Sequence, residues 1–221
     1  MNASNFLPYK AQEFTEAEMT QRAQDFYAYM DLRRSVREFS DKDVPREVIE
    51  NIIMTASTAP SGAHKQPWTI CAVRSAAVKK AIREAAEEEE YTNYHGRMSE
   101  SWLEDLKVFG TDWHKPFLEI APWILVVFRR IYELEDGEKK NNYYVNESVG
   151  LATGMLLTAI HQAGLVSLTH TPSPLKFLQK VLNRPENERA FLLIPVGYPQ
   201  EGTEVPDLTR KPLEEVAVFY E

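Results

Sequence analysis

The sequence predicts an α+β domain. Helix-like and strand-like stretches are mixed without the regular alternation of a doubly wound sheet. The apolar runs are short, and the longest, 121–128, reads as a buried strand. No internal repeat, heptad, low-complexity tract, GxGxxG or Walker loop points to another architecture.

The chain has 221 residues, so one domain spanning 1–221 is expected. That length buries roughly 70% of the unfolded surface, enough for a real core. A net charge of −8 argues against a nucleic-acid partner, since such domains are usually basic. The single cysteine, Cys71, excludes an internal disulfide framework and a Cys-rich zinc site. The five histidines show no HxxxH or HxH spacing, so no metal site is expected. No run is long enough to cross a bilayer, and the N-terminus lacks a signal design. A cytoplasmic protein without a membrane partner is the expectation.

Residues 1–14 are polar with scattered aromatics and read as an arm. Thr15 and Glu18 form a capping box for a helix ending near Leu32. Val44-Pro45 opens a second helix, with Val48, Ile49, Ile52, Ile53 and Ala56 on one face. The loop 59–68 has two prolines and a glycine, and a strand follows over 68–73. Helical spacing runs from Ala76 to about Tyr94, and 97–115 is partly helical. Asp136-Gly137 is a turn, and 143–163 is a long helix of low charge closed by Gly164. A short strand over 166–169 precedes a helix started by Ser173-Pro174, and 190–196 is a further buried strand. The apolar end, 216–220, has no partner nearby in sequence.

Chemistry concentrates first at Arg33-Arg34-Ser35-Val36-Arg37. Guanidinium forks beside a hydroxyl suit a phosphate dianion. The same run also suits a solvated helix end or a nucleic-acid patch. Glu90 and Tyr94 are four apart and share a face of a helix, and Lys115 would have to fold back to meet them. An anion, a hydroxyl and a cation match an amino-acid zwitterion. Because 87–90 is a run of four glutamates, an ordinary solvated face matches too.

Four stretches in order, 33–37, 59–68, 193–199 and 210–213, resemble the FMN-dependent nitroreductase superfamily. Glu90, Tyr94, Trp102 and Lys115, with Thr169-His170-Thr171-Pro172, resemble its iodotyrosine deiodinase branch. The likeness covers the chain from about Leu32 onward. Animal members of that branch carry a membrane anchor that this sequence does not contain, so the soluble, bacterial members are the expected match.

The resemblance implies a nitroreductase-like fold: a mixed central sheet flanked by helices, in an intertwined homodimer. Residues 199–221 would form an arm exchanged with the partner subunit, and about 87–116 the active-site lid. It implies FMN as cofactor, with Arg33, Ser35 and Arg210 on the phosphate and Arg34 and Val36 completing the cradle. Pro60 and Ser61 would reach the flavin from the partner subunit. Arg37 would stabilise the reduced flavin at its pyrimidine edge. Thr169, His170 and Thr171 would line the flavin, with the Thr171 hydroxyl on N5 and Thr169 in reserve. The substrate would be a halogenated tyrosine, its ammonium on Glu90 and its carboxylate on Tyr94 and Lys115. Its phenolate would rest on the Ala63 N–H and a ribityl hydroxyl. The implied reaction is reductive dehalogenation with stepwise electron transfer through a semiquinone, fed by NAD(P)H or a reductase. The alternative is a general NAD(P)H-dependent nitroreductase or quinone reductase on the same fold.

Overall fold

A computed structural model describes residues 6–221. The chain divides into two compact units, Met1–Arg33 and Arg34–Glu221. The first holds α1, Glu16–Asp31, started by the expected capping box. Glu18 N donates to Thr15 Oγ1 at 3.3 Å and Thr15 N donates to Glu18 Oε2 at 2.8 Å. The expected arm 1–14 begins outside the described residues; from 6 to 15 it carries no helix or strand.

The second unit is built on a four-stranded sheet. Its strands are β1 (Trp68–Val73), β2 (Trp123–Arg130), β5 (Val166–Ser167) and β6 (Glu188–Gly197), in the order β1-β2-β6-β5. All three pairings are antiparallel. A parallel bridge from Ser35 to Ser167 at the outer edge makes the sheet mixed. β3 (Tyr132–Glu135) and β4 (Glu138–Asn141) form a separate hairpin. Its turn residues, Asp136 and Gly137, have φ of 52° and 82°, the pair of positive values that a two-residue hairpin loop requires.

Both faces of the sheet are covered, which is why β2 is apolar without alternation. Leu125 and Val127 face one layer, where α2 (Arg46–Ser57) packs on α6 (Val145–Gln162). Ile49, Ile52 and Ala56 of α2 meet Val149, Ala152 and Leu156 of α6 there. Ile124, Val126 and Phe128 face the other layer. That layer contains α3 (Ala76–Thr92), α5 (Phe117–Ile120) and α7 (Lys176–Val181). Among the described residues the remaining α-helices are α4 (Glu100–Lys107) and α8 (Leu213–Val216).

Three boundaries differ from expectation. The strand expected from 121 starts at Trp123, because Ala121 closes α5 and Pro122 turns the chain. A Cβ at Gly197 would lie 2.5 Å from Pro122 Cδ, so this crossing needs glycine on its far side. α7 begins at Lys176 with Leu175 in the cap position, not at Ser173-Pro174. Ser173 stays in the preceding bend, where its carbonyl accepts from Asn93 Nδ2 at 3.0 Å. α6 begins at Val145 after Tyr144, whose φ is 48°. Its small residues divide: Ser148, Ala152 and Thr153 are buried, while a Cβ at Gly150 or Gly154 would meet nothing within 4 Å.

Candidate active site

The pentad is placed by backbone pairing. Val36 N donates to Ser167 O at 3.1 Å, and Val36 itself is buried. The parallel register Ser35–Ser167 brings Arg37 alongside Thr169. After β6 the chain returns past the pentad: Phe39 bridges Pro199, and Gln200 N donates to Glu38 O at 3.2 Å. Arg34 then donates from Nη2 to Pro206 O, so part of its bonding capacity fastens this returning segment. Arg210 follows four residues later and is exposed. Arg33 ends the first unit.

Arg37, Glu90, Tyr94, Lys115 and Thr169-His170-Thr171 line one cavity of about 180 Å³. Four separate segments deliver them. Glu90 sits in the last turns of α3, and Tyr94 in the single π-helical turn Asn93–Arg97 that extends it. Such turns are frequent at functional sites. Lys115 is brought back by its own backbone, whose N–H donates to Glu87 Oε1 at 2.7 Å. Glu87 is itself tied to Arg83.

The electrostatics are those of charges taken out of water. Glu90 is 6% exposed and Lys115 3% exposed. Burial pushes the Glu90 carboxyl above the usual range, and nearby Lys115 partly opposes it. Burial likewise holds the Lys115 ammonium below its usual range, against the carboxylates of Glu90 and Asp112. Lys115 Nζ donates to Thr111 Oγ1 at 3.1 Å and to Asp112 O, and lies 5.6 Å above the Tyr94 ring. The Tyr94 hydroxyl donates to Thr111 O at 3.3 Å, and burial raises its pKa. Arg37 lies 5.1 Å over the Phe109 ring, its pKa lowered by burial. Among the described residues Arg37 makes no ion pair, and the Glu90 carboxylate makes no hydrogen bond.

Thr169 and Thr171 are exposed, whereas His170 between them is buried. Burial, with Lys115 and Arg37 nearby, pulls the His170 pKa from 6.5 to about 3. Its Nε2 lies 3.9 Å from Glu90 Oε1, but a neutral imidazole at that distance forms no ion pair. An acid limb in stability follows. Between pH 6.5 and 3 the unfolded chain binds a proton at this residue that the folded chain refuses, so stability falls as pH falls through that window. Urea titrations across it should show a loss of a few kcal/mol, and His170→Phe should flatten it. An unaltered slope in the variant would assign the limb to other groups.

The loop with Pro60, Ser61 and Ala63 lies elsewhere. Its Gly62 N donates to Ser148 Oγ of α6 at 3.4 Å, and Ser61 Oγ accepts from Gln66 N at 2.9 Å. Ala63, with φ of 49°, is exposed, and none of the three lines the cavity. The sequence reading put Phe109 and Thr111 within the expected lid without singling them out, and gave Phe117 no role at the site. No local pattern marks them; only the fold brings them in.

The nitroreductase family model matches residues 31–198. The chain belongs to the nitroreductase family. Among relatives it is 63% identical over 216 residues to an iodotyrosine deiodinase of Haliscomenobacter hydrossis, covering 97% of each chain. It is 45% identical to iodotyrosine deiodinase 1 of Homo sapiens, covering 96% of this chain and 74% of the human one. A solved nitroreductase-fold structure, oxidised iodotyrosine deiodinase bound to FMN and 3-iodo-L-tyrosine, superposes with a TM-score of 0.75. It is 32% identical and covers 89% of this chain and 98% of its own. Among the described residues no helix is long and apolar enough to cross a membrane, and no cluster of metal-ligating side chains occurs.

Proposed function

We propose that this protein is an FMN-dependent reductive dehalogenase of halogenated tyrosines. The observation that carries the reading is buried Glu90 and Lys115 with half-buried Tyr94, in the same cavity as Arg37, Thr169 and Thr171. Burying an opposed carboxylate and ammonium is costly unless a ligand completes their bonding. An amino-acid zwitterion does so: its ammonium meets Glu90, and its carboxylate meets Lys115 and the Tyr94 hydroxyl.

The residues fit a flavin. Arg37 is a half-buried guanidinium without an ion-pair partner among the described residues, and Thr169 and Thr171 line the same cavity. These donors suit the acceptor-rich edge of an isoalloxazine. Ser35 and Arg210, with Arg34 and Val36 flanking the Ser35 bridge, would hold the phosphate. Reduced FMN supplies the two electrons that, with one proton, exchange a ring carbon–iodine bond for carbon–hydrogen and release iodide. Arg37 would place positive charge at the flavin's negative edge, and Thr171, with Thr169 in reserve, would offer a hydroxyl to N5. The segment 87–116 carries Tyr94 and Lys115 and excludes water when it closes over the zwitterion.

Two copies would complete each site. Ala63, Pro60 and Ser61 lie outside their own chain's cavity, which agrees with delivery to a partner's flavin. Val218, Phe219 and Tyr220 are 76%, 73% and 93% exposed, apolar surface that an exchanged arm would cover. The electron donor would be NAD(P)H or a separate reductase.

Anaerobic titration tests the reading. The FMN-loaded, dithionite-reduced protein should be reoxidised by 3-iodotyrosine with stoichiometric iodide release. Reoxidation by nitroarenes alone, with iodotyrosine inert, would assign the protein to general nitroreduction.

A further inference from the structure

His170 is held by the sheet and aimed at Glu90. Its N–H donates to Leu193 O at 2.8 Å, and its carbonyl accepts from Leu193 N at 3.2 Å. The side chain is 9% exposed, edge-on to the Phe117 ring at 5.6 Å and 86°. Its Nε2 is buried without a hydrogen-bond partner. A phenylalanine or leucine would fill the same space without that unmet nitrogen. The nearest carboxylate oxygen, Glu90 Oε1, stands 3.9 Å away, about 1 Å beyond a hydrogen bond.

We propose that His170 is a positioning residue for amino-acid recognition: its neutral imidazole turns an Nε2–H toward Glu90, and ligand capture closes the gap into a hydrogen bond. The bond would hold the Glu90 carboxylate ionised and aimed beneath the substrate ammonium. This rests on Glu90 being the ammonium acceptor.

Three features support it. The carboxylate selects the tautomer, because an Nε2 lone pair facing it would be repelled. The imidazole is neutral: burial first, then the nearby charges of Lys115 and Arg37, lower its pKa to about 3. A neutral donor is what this position needs, since a cationic histidine would compete with the ammonium for Glu90. Glu90 also has the matching deficit: burial favours its protonated form, and no described group donates to its carboxylate.

The test uses FMN-loaded wild type, His170→Phe and His170→Gln, reading 3-iodotyrosine and 2-iodophenol affinity by flavin-fluorescence quenching from acid to neutral pH. In the Phe variant the ratio of iodotyrosine to iodophenol affinity should fall about tenfold. Its acid limb for iodotyrosine should also move to higher pH. The Gln variant, which keeps an N–H of similar reach, should recover most of both. If the Phe variant does not fold, His170→Met replaces it in the comparison with Gln. A wild-type ratio and limb in the apolar variant, or an equal loss for both ligands, would overturn the proposal. A wild type that does not discriminate between the two ligands would instead remove Glu90 from the ammonium role, and this proposal with it.

Discussion

Glu90→Gln is expected to weaken 3-iodotyrosine binding by roughly 10- to 100-fold, while 2-iodophenol binding changes far less. A hydrogen bond to a charged group contributes about 1.5–3 kcal/mol, and the substitution keeps the shape while removing the charge. The same groups dictate a pH profile. Burial raises the Glu90 carboxyl pKa, so protonation reaches it above the usual carboxylate range and ammonium binding is lost on the acid side. Burial lowers the Lys115 pKa, so its charge is lost below the usual lysine range and carboxylate binding weakens on the alkaline side. Iodotyrosine affinity should therefore describe a bell narrower than unperturbed Glu and Lys would give. Iodophenol affinity should lack the acid limb. Identical profiles for the two ligands would show that the charged pair does not read the amino acid. Because Glu90 is desolvated, its glutamine variant should also be no less stable without ligand, which separates loss of recognition from loss of fold.

Much of the framework was legible because its signals are local. The Thr15–Glu18 capping box, the strand at 68–73 and the face of α2 depend on neighbours within a few residues. β4 was not legible: Glu-Lys-Lys-Asn is fully exposed, and only the Asp136-Gly137 turn betrayed the hairpin. α5 is four residues long, too short for a period, so it was assigned no element and its C-cap, Ala121, was read as the start of the next strand. At the site, Glu90, Tyr94 and Lys115 were singled out by the resemblance, and spacing added only that Glu90 and Tyr94 share a helix face. Its anchor, the Glu87 carboxylate, belongs to a run that reads as a solvated face. His170 meets Glu90 through sheet pairing with Leu193, a contact that no periodicity encodes.

The second large effect is expected at Arg37. Replacing it with methionine should slow dehalogenation by roughly 10²–10³-fold, the usual cost of deleting one preorganised charge that faces developing negative charge. The structure adds an unusual companion result. Arg37 is half-buried, its pKa is lowered by desolvation, and among the described residues it has no carboxylate partner. Its visible compensation is the Phe109 ring at 5.1 Å, a contact of about 0.5–1 kcal/mol. A desolvated cation held mainly by an aromatic face gives the flavin-free protein little. The flavin-free Arg37→Met variant should therefore unfold at the wild-type temperature or above it, while the reduced variant reacts far more slowly with iodotyrosine. Thermal unfolding with and without FMN, beside single-turnover rates, separates the alternatives. If the flavin-free variant melts well below wild type, Arg37 is mainly structural. If stability holds and the rate falls, the guanidinium is kept for the flavin, at a site whose other buried charges likewise await a ligand.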